Sequence, residues 1–153
     1  LLLAGEGGSR GSLESLSQQL GLGDSVTFLG HLSKPEMENE FEALWVQAVP
    51  SLWEEPFGLV AAESMMRSTA IVTTNTGGLS EQNIEGETGY QVGPADVEAW
   101  AAALLRVVTD REHAKQLGAH ARDHAMNHLS FDRFYSNICD QYQHTIAAHG
   151  HAL

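Results

Sequence analysis

The chain is short of cysteine and of basic residues, and each shortage closes off a class of function. Cys139 is the only cysteine among 153 residues. One thiol cannot close an intrachain disulfide, so nothing points to an oxidising compartment. Eight Lys and Arg stand against twenty Asp and Glu, a formal net charge of -12. Such a surface repels nucleic-acid phosphates and anionic lipid, which argues against both as partners. The same field opposes a nucleotide, so any pocket for one must supply positive potential locally. No apolar run approaches the ~20 residues of a membrane helix, and no signal peptide is visible. Internal repeats and low-complexity stretches are absent as well. No Met opens the chain, which begins on Leu1-Leu2-Leu3-Ala4 and so reads as a piece of a longer protein. The length fits one domain with a core able to fold cooperatively.

What is present alternates between strand and helix. Leu1 to Ala4 reads as a buried strand ended by Gly5-Glu6-Gly7-Gly8. Leu13, Leu16 and Leu20 recur at helical spacing, and Gly21-Leu22-Gly23 stops that helix. Val26 to Leu29 is a short strand. Ser33-Lys34-Pro35-Glu36 forms a capping box, with Pro early in the first turn of a helix to about Ala43. Trp45 to Val49 is the third strand, and Phe57 to about Arg67 its following helix. Ile71-Val72-Thr73-Thr74 is a fourth strand, apolar and β-branched, expected to be buried on both faces. Gly77-Gly78 turns the chain into a short helix over Leu79 to Asn83, and Tyr90 to Val92 is the fifth strand. Asp96 caps a helix through Val108. Thr109-Asp110-Arg111-Glu112 reads as a second capping box, for a helix to about His128. Ser130 caps the last helix, from Phe131 to near Ile146. The expected fold is α/β: a Rossmann-like, doubly wound parallel sheet with a helical C-terminal tail. Residues 1–146 form the domain and 147–153 a frayed end. Right-handed crossovers place the loops after the strands on one edge, where ligands bind.

The most informative of these loops is Pro50-Ser51-Leu52-Trp53-Glu54-Glu55-Pro56-Phe57-Gly58, leading into Leu59-Val60-Ala61-Ala62-Glu63. Glu55 falls just before a helix and Glu63 between one and two turns inside it. Carboxylates accept hydrogen bonds from sugar or ribose hydroxyls, and free helix N-terminal amides accept an anionic phosphate. A nucleotide-sugar, with hydroxyls on either side of a diphosphate, fits that pattern.

The same stretch resembles the signature of the retaining family 4 glycosyltransferases of GT-B fold, a Glu-x7-Glu pattern with Phe-Gly after the first acid. Leu3-Ala4-Gly5-Glu6-Gly7 resembles that family's strand ending in Gly-x-Gly, and Val26-Thr27-Phe28-Leu29-Gly30 its next strand. Ile71 to Thr74 with Gly77-Gly78-Leu79-Ser80-Glu81 resembles its buried strand and Gly-Gly-x-x-Glu turn. Gly86-Glu87-Thr88-Gly89-Tyr90 resembles its Gly-x-Thr-Gly turn. The likeness covers nearly the whole chain, in order. It implies a C-terminal, donor-binding half of a two-domain enzyme that transfers a sugar from a nucleotide-sugar with retention of configuration. It implies that Glu63 holds the ribose hydroxyls and that Glu55, the catalytic residue, lies near the transferred sugar and helps orient its hydroxyls. It also implies that the amides of Phe57, Gly58, Leu59 and Val60 receive the diphosphate or sugar. No Asp-x-Asp occurs, so neither a bridging metal nor another cofactor is expected. The family's upstream Arg and Lys, its first strand and its acceptor-binding domain would all precede Leu1. A sheet without that strand exposes pairing edges, so self-association of the fragment is expected. So is weak or absent activity when it stands alone. Ser68 and Ala70 stand where the family has Gly and Pro, a departure that bears on the helix exit rather than on the carboxylates. The expected location is cytoplasmic, with peripheral membrane association left open for the whole protein.

Blander readings stand beside these. Glu55 and Glu63 could be solvated acids at a helix start, where the dipole favours them. Phe57 reads as core packing beneath its loop, while Trp53 reads equally as core or as a stacking surface. Gly5-Glu6-Gly7-Gly8 is kept as a pocket-lining loop only. His120, His124 and His128 share a helix face at metal-capable spacing, but no acid or cysteine matches them, so they read as a solvated or half-buried stripe. Glu36, Glu38, Glu40 and Glu42 read as a wet face, and Met65-Met66 with Leu104, Leu105, Val107 and Val108 as core. Two other functions compete with the transferase: a nonenzymatic nucleotide-binding or assembly module, and a sugar-nucleotide epimerase on the same GT-B scaffold.

Overall fold

The computed structural model describes residues 1–149, in two compact units divided after Ala43. The first unit runs β1 (Leu2–Ala4), α1 (Arg10–Gln19), a single 3-10 turn (Gly23–Ser25), β2 (Thr27–Gly30) and α2 (Lys34–Phe41). β1 and β2 are parallel, with Leu2 opposite Thr27 and Ala4 opposite Gly30. Gly21, at φ 66, takes the left-handed turn that ends α1, a conformation open to glycine without strain. At α2 the Glu36 carboxylate accepts from the Ser33 amide at 2.8 Å and the Ser33 hydroxyl at 2.5 Å, with Pro35 in the first turn. Those two bonds, the hydroxyl first, hold the Glu36 carboxyl below the usual carboxylate range. The expected burial of the first strand is not found. Leu1 is 73% and Leu2 37% exposed. A two-stranded sheet has little of its own to cover them, and in this unit only Ser17 and Gly30 are buried.

The second unit runs β3 (Val46–Val49), α3 (Leu59–Met66), β4 (Ala70–Thr74), α4 (Gly77–Gln82) and β5 (Gly89–Val92), then α5 (Val97–Val108), α6 (Arg111–His128) and α7 (Phe131–His149). Its three strands are parallel in the order β3-β4-β5, with Val46 opposite Ala70 and Ile71 opposite Gly89. All five residues of β4 are buried. Alternation along the strand sends its side chains to opposite faces. Ile71 packs with Val49, Ala61, Met65, Leu79, Ala121 and Ala125, while Ala70 and Val72 pack with Val92, Ala103, Val107, Ala114 and Leu117. A β-branched strand covered on both sides is the usual centre of a parallel sheet. The architecture is therefore parallel sheets flanked by helices, Rossmann-like, with a helical C-terminal tail. Among the described residues no helix is long and apolar enough to cross a membrane.

Buried polar groups tie the far end of α4 to this sheet. Asn83 Nδ2 donates to Thr73 Oγ1 at 2.9 Å and to the Tyr90 carbonyl at 2.8 Å, and Thr88 Oγ1 donates to Asn83 Oδ1 at 3.0 Å. A network so nearly satisfied rigidifies rather than weakens a core.

Several elements depart from the sequence reading, each for a local reason. The cap of α6 is Asp110, whose carboxylate accepts from the His113 amide at 3.0 Å. Thr109 ends α5 instead, its hydroxyl turned back to the Leu105 carbonyl at 2.5 Å. Leu105 and Val108 are exposed, because α5 buries the stripe of Trp100, Ala103, Leu104 and Val107. α7 continues to His149, so residues 147–149, expected to fray, are helical, and residues 150–153 lie outside the described residues.

The exit from α3 is tight despite the missing glycine. Ser68 takes φ 61, and its amide reaches the Met65 carbonyl at 2.9 Å while the Thr69 amide reaches Ser64 at 3.1 Å. α6 lies against this turn: a Cβ on Gly118 would fall 2.8 Å from the Ser68 carbonyl carbon, and the Arg122 guanidinium donates to the Met66 carbonyl. Ser68→Gly should therefore stabilise the protein by about 1 kcal/mol, by removing left-handed strain. Gly118→Ala should destabilise it by about 1–3 kcal/mol, since the clash outweighs the gain in helix propensity. Urea unfolding of the two variants checks both signs.

Candidate functional site

Residues 50–58 cross from β3 to α3 without regular structure. Their path is set by α4. The Gly78 amide donates to the Glu55 carbonyl at 2.7 Å. A Cβ on Gly77 would lie 2.8 Å from the Glu55 nitrogen, and one on Gly78 2.6 Å from the Pro56 carbonyl oxygen and 2.7 Å from the Phe57 Cα. Backbone thus packs directly on backbone, and only glycine allows it. Gly77 and Gly78 are the first residues of α4 rather than the turn ahead of it that the sequence suggested.

Gly58 is the N-cap of α3, at φ 84 and ψ 57, and a Cβ there would lie 3.2 Å from Leu79 Cγ and 3.7 Å from Glu55 Oε2. Glu55 and Gly58 are therefore neighbours. The Glu55 carboxylate is half-buried, and the Ser51 hydroxyl donates to its Oε1. Gln82, 3% exposed at the end of α4, donates from Nε2 to the Phe57 carbonyl.

The start of α3 is bare. It has no side-chain cap and no acidic residue in its first turn. The Ala61 and Ala62 amides both reach the Gly58 carbonyl, at 3.0 and 3.2 Å. Among the described residues the amides of Phe57, Gly58, Leu59 and Val60 donate to no loop or turn carbonyl. These orphan N–H groups and the helix dipole make the end electropositive in an otherwise acidic chain. Glu63 is exposed one turn further on, on the side of α3 that carries exposed Leu59 and Val60. The opposite side is held down in the core by Ala61 and Met65, and the flank by the Ser64 hydroxyl, 2.6 Å from Gln47 Oε1 and 2.9 Å from the Val60 carbonyl. A half-buried acid, a row of unpaired donors and an exposed acid thus follow one another along a single surface. Such an order can receive an anion in the middle and hydroxyls on either side.

Phe57 is 43% exposed, not packed beneath its loop, because α4 occupies that space with backbone and Leu79. Trp53 is 62% exposed, so both rings are available to a ligand. Sequence reasoning missed Gln82: a polar residue after Ser80-Glu81 has no signal that separates it from helix surface.

The histidine stripe lies elsewhere on this unit. His120 and His128 are exposed and His124 is half-buried. The His124 and His128 rings stack at 4.6 Å, and His124 borders a groove of about 410 Å³ with Ile84, Glu87, Thr88, His120 and Asp123. Burial pushes His124 below the usual histidine range, the His128 charge pushes the same way, and Glu87 opposes both. Among the described residues no group of three His, Cys, Asp or Glu side chains is placed to hold a metal ion.

The family profile of glycosyl transferases group 1 matches residues 1–124. The D-inositol 3-phosphate glycosyltransferase of Stackebrandtia nassauensis is 39% identical over 113 residues, which make up 74% of this chain and 25% of that protein. The sucrose-phosphate synthase of Thermosynechococcus elongatus is 34% identical, with a TM-score of 0.81 over 97% of this chain and 39% of that one. The Anabaena protein HepE in complex with UDP is 22% identical, with a TM-score of 0.81 over 93% of this chain and 40% of its own, a likeness of fold. The chain spans about a quarter to a third of the length of the curated relatives it matches.

Stability measurements on two variants test the packing at Gly58 and the burial of His124. Gly58→Ala should destabilise the protein by roughly 2 kcal/mol or more, from left-handed strain together with displacement of Leu79, read as a lower urea midpoint. His124 gives a pH dependence. Its folded pKa lies below the unfolded value of ~6.5, so its contribution is intact above that value and is lost as pH falls toward the folded pKa. Stability should decline less between about pH 7.5 and 5.5 in His124→Gln than in the parent, by urea titration at each pH.

Proposed function

The chain belongs to the glycosyl transferases group 1 family, and from that footing we propose that it is the donor-binding part of a longer retaining family 4 enzyme of GT-B fold. The donor is a nucleotide-sugar. The observation that carries the reading is the bare start of α3, set between Glu55 and Glu63. Its fold likeness to HepE, solved with UDP and with UDP-glucose, is in keeping with it.

The roles are those the family resemblance implies, and the arrangement of the residues supports them. Glu63, exposed one turn inside α3, accepts from the ribose hydroxyls. The amides of Gly58, Leu59 and Val60, with Phe57 beside them, receive the diphosphate. Glu55, alongside Gly58, orients the hydroxyls of the transferred sugar. In the reaction the anomeric C–O bond breaks and its electron pair leaves with the diphosphate. Charge grows on the leaving oxygen, which is where fixed N–H dipoles stabilise a transition state most effectively. The acceptor hydroxyl attacks from the same face and gives its proton to the departing phosphate oxygen, which retains configuration. Charge neutralisation is assigned to these amides and to basic side chains elsewhere in the whole protein, with no bridging metal.

The test uses the whole protein with a panel of UDP-, GDP- and ADP-sugars. Glu63→Ala should raise the donor KM roughly 10–100-fold, the loss of a hydrogen bond to a charged group. Glu55→Ala should lower kcat by a similar factor, and EDTA should leave the rate unchanged. Parental rates in both variants would remove the site assignment. Saturable nucleotide binding without transfer would support the nonenzymatic alternative.

A further inference from the structure

Gln82 closes α4 and is 3% exposed, so its amide must find partners inside the protein. Nε2 donates to the Phe57 carbonyl, while Oε1 has no partner among the described residues. Turning the amide over would set Oε1 against the Phe57 oxygen, acceptor on acceptor, so chemistry fixes which end faces the loop. An apolar side chain of the same size would remove the unpaired Oε1 but leave the Phe57 carbonyl without its donor, so packing alone does not account for a glutamine here.

The Phe57 carbonyl belongs to the same peptide unit as the Gly58 N–H. No described peptide is cis, so the two groups point in opposite directions. Holding the carbonyl inward on α4 therefore aims the Gly58 N–H outward from α4. Gly58 is buried, and its N–H has no acceptor among the described residues. A peptide followed by glycine is also the kind most free to flip, because glycine accepts φ of either sign. Without an anchor, the Phe57–Gly58 unit could turn its carbonyl oxygen toward an incoming anion. We propose that Gln82 is a positioning residue for the donor diphosphate: its grip on the Phe57 carbonyl keeps the Gly58 N–H, and not an oxygen, facing the anion. This rests on the donor-site reading and adds to it a residue that touches no ligand.

The experiment compares the parent protein with Gln82→Met, Gln82→Leu, Gln82→His and Glu63→Ala. The probes are inorganic pyrophosphate and the free nucleoside of whichever of UDP, GDP and ADP binds best. Phe57-Gly58 is the one Phe-Gly pair in the chain. Carbonyl-labelled Phe with nitrogen-labelled Gly therefore reports that peptide by NMR. Both apolar variants should still fold and melt cooperatively, move the Phe57–Gly58 signal, and weaken pyrophosphate about tenfold while leaving the nucleoside unchanged. Gln82→His, which keeps an N–H at similar reach, should restore pyrophosphate affinity. Glu63→Ala should do the reverse, losing the nucleoside and keeping pyrophosphate. An unmoved signal, or parental pyrophosphate affinity in the folded apolar variants, would overturn the role of Gln82. Undiminished nucleoside binding in Glu63→Ala would count against the donor-site reading instead, with Gln82 still decided by pyrophosphate.

Discussion

The approach of one backbone to another, α4 against residues 55–57, is the constraint on which the rest of the site depends. Gly77 and Gly78 remove the side chains that would separate them, and the Gly78 amide bonds the Glu55 carbonyl in the space left. Leu79 then fills the floor beneath Gly58 and leaves no room for a side chain there. Because α4 in turn rests on β4 through Leu79 and Asn83, the loop inherits the rigidity of the buried strand. A surface loop would ordinarily belong to the mobile part of a molecule. Here it is tied down on one side and open on the other.

That asymmetry matters in a chain carrying a net charge of -12. Side-chain cations are scarce, and the long-range field disfavours a diphosphate. The unpaired amides at the head of α3 act at short range, where partial charges fixed in place oppose that field. Glu55 and Glu63 add negative charge nearby. Both stand to the side of the amides, suited to neutral hydroxyls rather than to phosphate oxygens.

Much of this was legible in the residues, and the failures have physical causes. β4 could be read because a β-branched apolar run fits a strand buried on both faces. The caps at Ser33 and Asp96 could be read because each side chain has an amide within reach and no competitor. The cap at Thr109 misled because its hydroxyl had an equally good acceptor one turn behind, leaving Asp110 to open α6. Phe57 was read as core on hydrophobicity alone, and nothing local reveals that the space beneath it belongs to the backbone of α4. Leu105 and Val108 failed in the same way, since an apolar cluster does not say which of its members face the sheet. Ser68 kept the turn expected of glycine, at the cost of strain. Gln82 lay beyond reach, because its partner is 25 positions away in sequence.

The glycines also set where the sequence is free to drift. At Gly58, Gly77 and Gly78 a single side chain meets atoms that cannot retreat independently, so replacement there demands compensating change in the opposing segment, and such positions should covary or stand still. Gly7 and Gly8 have nothing within 4 Å of where a Cβ would project, and neither takes a left-handed backbone. Insertions and new side chains over the descent of this lineage should collect at that open turn, leaving the spacing from Glu55 to Glu63 untouched.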